Sequence, residues 1–195
     1  MEETLSEYNN VTIINNDILK VEQLNTNHKG VKLRKYPISV NVEEGIEKID
    51  DDAFEYSSFK SVKLPKSLLS IGDRAFYKSS GLNYVYLPHS LEKIGSNAFN
   101  SCDSLEEIKI PERIKEISEG TFYGCRNLQT IILPYSLTKI GENAFYLCTK
   151  LEGMEVPDGV KEIGSRAFSF CYRLRNVYIP GSVETLGEEI FSNST

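Results

Sequence analysis

Four cysteines recur at a constant interval of 23 residues, at Cys102, Cys125, Cys148 and Cys171. Thiolates bind metals and form disulfides, so a row of cysteines raises both possibilities. Residues that recur at a fixed interval in stacked repeats point in parallel, which keeps neighbouring Cβ atoms further apart than the roughly 3.8 Å typical of a disulfide. A row also cannot converge on one tetrahedral zinc ion. We therefore expect four free thiols that are buried as small apolar side chains.

The other candidates for catalytic or metal-binding chemistry are few. The two histidines, His28 and His89, belong to no recognisable nucleophile, zinc or phosphate-binding motif. The acidic run Asp50-Asp51-Asp52 suggests calcium, but it lacks the ligand spacing of an EF-hand loop and is interpreted as a solvated outer turn. The sequence therefore predicts no enzyme, no metal site and no cofactor.

The composition is typical of a water-soluble globular protein. The chain has 195 residues, of which 40% are hydrophobic and 26% charged, and its net charge is -6. An acidic chain without clustered Lys and Arg is a poor ligand for nucleic acid. No apolar run approaches the roughly 20 residues that a membrane-spanning helix needs. We expect neither nucleic-acid binding nor membrane insertion.

The elements that position these residues repeat with the same interval as the cysteines. Six prolines mark the interval: Pro65, Pro88, Pro111, Pro134, Pro157 and Pro180. When each proline is counted as position zero, aliphatic residues fall at +3, +6, +20 and +22, Phe at +11 and Leu at +17. Residues 38–195 therefore hold six repeats of 22 to 23 residues, the first from Glu43, and a partial seventh from Pro180.

Each repeat contains signals for a strand, a bend and a turn. The alternation Leu105-x-x-Ile108-x-Ile110 before a proline predicts a short parallel strand. Gly at +7 predicts a tight bend with positive φ. From +8 to +14, Ala, Phe and Cys lie three and four residues apart, which predicts one short helical turn on the outer face.

Energetics requires these repeats to stack. Roughly eight inward residues at about 1.5–3 kcal/mol each do not stabilise one repeat against an ordering cost of about 1.5 kcal/mol for each of its residues. Stacking buries every inward residue against its equivalents above and below, as in other solenoids.

The repeated residues resemble a known family. The string Ile163-Gly164-x-x-Ala167-Phe168-x-x-Cys171-x-x-Leu174-x-x-Val177-x-Ile179-Pro180 is similar to the BspA-type leucine-rich repeat, I-G-x-x-A-F-x-x-C-x-x-L-x-x-[IV]-x-[IL]-P. The resemblance covers residues 38–195. It implies an α/β repeat solenoid: a curved right-handed superhelix with a parallel β-sheet on its concave face and short helical turns outside. Relatives resemble adhesins of bacteria and protozoan parasites that bind host or bacterial proteins.

Residues 1–37 do not repeat. Val11–Ile14 and Ile18–Val21 flank Asn15-Asn16-Asp17, which predicts a hairpin, and Val31–Leu33 could add an extended segment. We interpret residues 1–37 as an N-terminal cap on the core, with a flexible tail over the first ten residues. The alternative is a disordered tail that precedes the repeats.

Surface positions that the repeat leaves free are candidates for binding. Positions +19, +21 and +1 point away from the core on the concave face, where exposed aromatic residues and an isoleucine are typical of a protein-binding surface. A continuous strand face offers no deep cavity, so the expected partner is a protein or peptide. The predicted partner-binding residues are Lys63, Tyr84, Tyr86, His89, Glu107, Lys109, Ile132, Tyr135, Glu155 and Tyr178.

Two alternatives to this surface remain. Aromatic and β-branched residues also favour strands for structural reasons alone. A rival surface is formed by Tyr77, Tyr123 and Tyr146 at position +12 on the outer face, unless these rings pack over the neighbouring Phe.

The predicted function is a non-catalytic protein-binding module of the interaction or adhesion type. The alternative is a structural solenoid fragment of a larger protein that self-assembles through an open edge at the strand ending at Ile179. We expect a monomer or weak edge-to-edge association. The acidic start, Met1–Glu7, lacks the features of a secretory signal, so with free cysteines it predicts the cytoplasm. The family resemblance implies the cell surface or secretion if a signal was removed.

Overall fold

The computed structural model describes residues 11–14, 18–21 and 39–194. Within them, every complete repeat contributes a longer strand and a two-residue strand, and the partial seventh contributes a two-residue strand alone. In chain order the strands are β1 (Val11–Ile14), β2 (Ile18–Val21), β3 (Ser39–Val42), β4 (Lys48–Ile49), β5 (Ser61–Lys63), β6 (Ser70–Ile71), β7 (Tyr84–Tyr86), β8 (Lys93–Ile94), β9 (Glu107–Lys109), β10 (Glu116–Ile117), β11 (Thr130–Ile132), β12 (Lys139–Ile140), β13 (Gly153–Glu155), β14 (Glu162–Ile163), β15 (Asn176–Tyr178) and β16 (Thr185–Leu186).

Equivalent residues of successive repeats lie directly above one another. The register pairs Val62 with Val85 between β5 and β7, and Ile117 with Ile140 between β10 and β12. Each pair is parallel, because one repeat winds once around the core before the next strand begins. The predicted parallel-strand solenoid with its sheet on the concave face is confirmed.

A stack of phenylalanine rings runs through the core. Neighbouring ring centroids are 5.1–5.7 Å apart and the ring planes are parallel within 20°. Such offset stacking adds to the free energy that burial of each ring contributes. The rings, all buried except the last, are those of Phe54, Phe76, Phe99, Phe122, Phe145, Phe168 and Phe191.

The outer wall, formed by positions +8 to +14, contains consecutive turns instead of the predicted helical turn. None of the described residues is helical. Positions +9 and +13 have positive φ, as at Asn97 (56°) and Ser101 (57°). Alternate amides therefore point to the next repeat, where Phe99 N–H donates to the Thr121 carbonyl at 2.9 Å. A helix would direct these amides along its own axis, so the turns gain hydrogen bonds between repeats that a helix cannot form.

The predicted positive φ at the +7 glycines is also wrong. Gly72, Gly95, Gly141, Gly164 and Gly187 are not among the glycines with positive φ. A Cβ at Gly164 would instead lie 2.5 Å from the backbone nitrogen of Glu142 in the preceding repeat. Glycine is needed here because two backbones approach closely, not because the chain bends into the left-handed region.

The N-terminal hairpin is confirmed. Strands β1 and β2 pair antiparallel, with Val11 opposite Val21, and β2 continues the sheet in parallel with β3. Val31–Leu33 and the predicted tail over residues 1–10 lie outside the described residues. The assignment of residues 1–37 as a cap stays a prediction.

Candidate functional site

All ten predicted binding residues are exposed. The alternation within each strand explains their exposure: β7 buries Val85 and exposes Tyr84 and Tyr86, and β9 buries Ile108 between two exposed residues. Among the aromatic residues of 39–194, Tyr135 and Tyr178 are the most exposed, at 87% and 65%. The structure therefore places the ten residues on the concave face, as their positions in the repeat predict.

The strand face is not continuous, contrary to expectation. The concave sheet consists of three separate ladders, with interruptions between β7 and β9 and between β11 and β13. A cleft of about 300 Å³ lies at the first interruption and a wider one of about 770 Å³ at the second. The two clefts adjoin, since Lys109, Glu112 and Ile132 line both.

Nine of the ten predicted residues line these clefts, and Lys63 does not. The first cleft brings together Tyr84, Tyr86, His89, Glu107, Lys109 and Ile132. The second adds Tyr135, Glu155 and Tyr178. Within the first cleft, the Tyr86 hydroxyl and His89 Nε2 are 3.3 Å apart.

Two acidic residues of the site were not among those predicted from the sequence. Glu112 lines both clefts and Asp158 lines the second. Both occupy position +1, directly after a proline, which is the position of His89 and Tyr135. The repeat register therefore contained the signal that identifies them.

Charges on the concave face have no ion-pair partners within the described part of the chain. Strand register places Lys109 beside Ile132, Glu155 beside Tyr178 and Glu107 beside Thr130. Each charged side chain thus lies next to an uncharged one, so the strands supply no opposite charge.

Charges elsewhere on the surface connect neighbouring repeats. Lys161 Nζ lies 2.8 Å from Glu184 Oε1, and Arg166 Nε lies 2.6 Å from Glu189 Oε2. Exposed pairs of this kind add little to stability, about 0–1 kcal/mol each. Ion pairs of this kind connect repeats away from the concave face, whereas the charged side chains of the concave face form none among residues 39–194.

The four cysteines are buried and free, as predicted. They also have a role that the sequence did not indicate. Each thiol donates a hydrogen bond to the Phe carbonyl at +11 of the preceding repeat, as Cys125 Sγ does to Phe99 at 3.1 Å. Burial raises the pKa of the Cys102 and Cys148 thiols well above the ordinary range. The thiols are therefore neutral donors inside the core.

The other candidates for chemistry have structural partners. Lys48 Nζ lies 2.8 Å from Asp50 Oδ1, and Asp51 Oδ1 accepts a hydrogen bond from the Asp73 amide at 2.9 Å. Among residues 39–194, no group of acidic, histidine or cysteine side chains could hold a metal ion. The acidic run is thus a turn that binds its neighbours, and it is less solvated than expected. His28 lies outside the described residues.

The +12 tyrosines of the rival surface pack against one another. The rings of Tyr123 and Tyr146 stack with centroids 4.8 Å apart, and Tyr77 contacts Tyr56 edge-on at 5.8 Å. The pKa of Tyr123 is raised, mainly because the side chain is partly buried and secondly because Tyr146 lies beside it. These three rings are half-buried, whereas the four concave tyrosines are exposed.

The chain belongs to the BspA-type leucine-rich repeat family. The family profile matches in six copies, over residues 36–112 and 70–195. The chain is also similar to solved bacterial structures. None of the described residues forms a helix long and apolar enough to cross a membrane.

Three structures show the likeness. A leucine-rich repeat protein of T. pallidum is 28% identical with a TM-score of 0.75, covering 95% of this chain and 86% of its own. One from Bacteroides ovatus is 28% identical with a TM-score of 0.71, covering 85% of this chain and 46% of its own. A leucine-rich cell surface protein of Faecalibacterium prausnitzii is 26% identical with a TM-score of 0.55, covering 86% and 52%.

The chain spans about half the length of the B. ovatus and F. prausnitzii proteins. No curated protein matches its sequence.

Proposed function

We propose that the concave face binds a protein or peptide partner and performs no catalysis. The observation that carries the proposal is the coincidence, on one face, of exposed apolar side chains with charges that lack ion-pair partners. Aromatic anchors surrounded by polar groups are the usual composition of a protein interface. The side chains concerned are Tyr84, Tyr86, Ile132, Tyr135 and Tyr178, with Lys63, Glu107, Lys109 and Glu155 around them.

The family supports the same proposal. Within this chain, the repeats keep the core positions nearly constant and let the concave positions vary. The F. prausnitzii relative is named as a cell surface protein. Partners outside the cell are therefore the first class to test for this chain.

The test replaces three concave anchors with serine: Tyr86→Ser, Ile132→Ser and Tyr178→Ser in one chain. All three side chains are more than half exposed, at 53%, 53% and 65%, so circular dichroism and melting should hardly change. The variant should fail to capture the partner that the wild-type chain captures from a host-cell or bacterial extract.

A matched variant tests the rival surface, with Tyr77→Ser, Tyr123→Ser and Tyr146→Ser. Loss of the Tyr123–Tyr146 stack should lower its stability by about 1 kcal/mol, while partner capture should persist. Capture that survives the concave changes but is lost with the outer ones would place the site on the outer wall.

A second candidate function is self-association through the last repeat. Leu186 is 57% exposed and Phe191 is 40% exposed, and Val183 and Ile190 beside them are only partly buried. This end of the described core is thus apolar and uncovered. Sedimentation of the full chain over a wide concentration range should show a dimer, and Leu186→Lys with Phe191→Lys should abolish it. A monomer at every concentration would exclude this function.

A further inference from the structure

The solenoid is open between two successive turns of the chain, the one that begins with β7 and β8 and the one that begins with β9 and β10. Both strand ladders are interrupted there, between β7 and β9 on the concave face and between β8 and β10 on the flank. The outer wall is continuous at the same boundary, where Asn97 N–H donates to the Glu119 carbonyl at 2.8 Å and Ser101 N–H to the Tyr123 carbonyl at 2.7 Å. The two turns are therefore hydrogen-bonded to each other at the outer wall, while their strands are not paired.

One residue distinguishes this boundary, where both ladders are interrupted, from the boundary between β11 and β13, where only the concave ladder is interrupted. Position +7 is glycine in every proline-initiated repeat except one, where it is Ser118. At the glycines, a Cβ would lie 2.2–2.8 Å from the backbone nitrogen of the preceding repeat, too close for any real Cβ. The Cβ of Ser118 therefore requires its repeat to stand further from the one before.

Hydrogen bonds at this boundary fit that explanation. In other repeats the +7 amide donates to the preceding Ile carbonyl, as Gly95 N–H does to Ile71 at 2.9 Å. At the open boundary, Ser118 Oγ donates to the Ile94 carbonyl instead, at 2.8 Å. The side chain replaces the backbone as donor.

The opening produces the first cleft on the concave face. Buried Val85, Leu87 and Ile108 contribute to its lining, so the cleft reaches the core between the two strands. Its rim is aromatic and charged, with Tyr84 and Tyr86 on one side.

The charge around the clefts selects a class of occupant. The two adjoining clefts are lined by four carboxylates, those of Glu107, Glu112, Glu155 and Asp158, and by one ammonium group, that of Lys109. All are exposed, and none has an ion-pair partner among residues 39–194. Carboxylates beside tyrosine rings suit a guanidinium group, which pairs with the former and stacks on the latter.

We propose that the cleft opened by Ser118 binds an arginine side chain in an extended basic segment of the protein partner. This inference rests on the proposed function of the concave face. The guanidinium packs against the tyrosine rings of the first cleft and pairs with one carboxylate of its lining, Glu107 or Glu112, and the wider cleft holds the residues that follow.

The test titrates the full chain with three heptapeptides and follows amide chemical shifts by NMR. The probes are acetyl-Gly-Ser-Arg-Leu-Arg-Ser-Gly-amide and the same peptide with citrulline or glutamate in place of both arginines. The arginine peptide should bind at least about tenfold more tightly than the neutral citrulline peptide. Raising the salt to about 0.5 M should remove most of that difference, because exposed charges are screened. The largest shifts should fall on β7 and β9.

Variants separate the cleft from general charge attraction. Ser118→Gly restores the glycine of the other repeats and should weaken arginine-peptide binding about tenfold. Ser182→Gly is the matched control. Ser182 Oγ also donates to a carbonyl of the preceding repeat, that of Val160 at 2.9 Å, but Ser182 lines neither cleft. It should bind like wild type. Glu107→Gln with Glu112→Gln should weaken binding about fivefold without changing the melting temperature.

Equal affinity for the arginine and citrulline peptides, shifts on the outer wall, or undiminished binding by Ser118→Gly would each overturn the proposal. The proposed function is still supported in that case if the variant with the three concave serines fails to capture the native partner. If that variant keeps the partner as well, both proposals fail.

Discussion

Raising the pH should destabilise this protein through its buried cysteines. Cys102 Sγ donates to the Phe76 carbonyl at 3.2 Å, and the same bond recurs along the column. Burial raises the pKa of Cys171 to about 12, and raises the pKa of Cys102 and Cys148 well above the ordinary range. A thiol in the unfolded chain ionises near pH 8.5, at about its ordinary pKa. Above that pH the unfolded state loses thiol protons that the folded state keeps, so the free energy of unfolding falls.

The magnitude follows from the number of thiols. Each thiol costs about 1.4 kcal/mol for each pH unit above its unfolded pKa. The four together should lower the free energy of unfolding by roughly 5 kcal/mol between pH 7.5 and about 9.5, and the effect should be complete near the folded pKa. Urea unfolding in reducing buffer, followed by circular dichroism, measures this loss.

The control replaces all four cysteines with serine. Serine already occupies this column in other repeats, where Ser79 Oγ donates to the Phe54 carbonyl at 2.7 Å and Ser194 Oγ to the Phe168 carbonyl at 2.6 Å. The variant should keep the hydrogen bonds and lose the additional alkaline destabilisation. If wild type and variant lose equal stability between pH 7.5 and 9.5, the thiols are not the cause and the reasoning is wrong.

Two pairs of substitutions test the stacking itself, each by urea unfolding. Phe122→Ala, between two stacked rings, should cost about 3–5 kcal/mol. Phe191→Ala, at a ring that is 40% exposed with a single stacked neighbour, should cost about 1–2 kcal/mol. Equal costs would contradict the stack. Gly164→Ala places a Cβ 2.5 Å from Glu142 N and should cost about 2–3 kcal/mol. Gly181→Ala meets nothing within 4 Å and should leave stability unchanged, so a loss there would refute the close-approach explanation.

The repeat interval explains why the sequence predicts the core so well. The constant interval predicts which residues of successive repeats stack on one another. The period-two alternation within each strand predicts which side chains face the core. Phe122, Cys125 and Ile131 are therefore buried where the repeat places them, and Ile132 is exposed. The concave residues follow from the same two facts.

The outer wall shows where this reasoning stops. Ala98, Phe99 and Cys102 have a spacing that suits a helical turn and a series of tight turns equally. The distinction depends on positive φ at positions +9 and +13, where residues such as Leu147 (60°) and Phe170 (60°) carry no sequence preference for that conformation. Hydrogen bonds to the neighbouring repeat select the turns, and those bonds exist only in the stack.

The +7 position shows a second limit. Glycine has two physical uses, positive φ and close approach of backbones, and one sequence cannot distinguish them. The consequence of Ser118 is equally hidden, since a serine among glycines looks like a tolerated variant until the neighbouring backbone is in place. The first cleft lies where that difference separates two turns, whereas the second lies between turns whose +7 residues, Gly141 and Gly164, are both glycine, and neither cleft could be predicted from the repeat.

Oxidative footprinting of the complex tests the concave binding surface most directly. The full chain, alone and bound to its captured partner, is exposed to hydroxyl radicals, and modification of each tyrosine is read by mass spectrometry. We expect Tyr84, Tyr86 and Tyr178 to lose modification in the complex while Tyr77 and Tyr146 keep it. Protection of the outer pair with unchanged concave tyrosines would contradict the account.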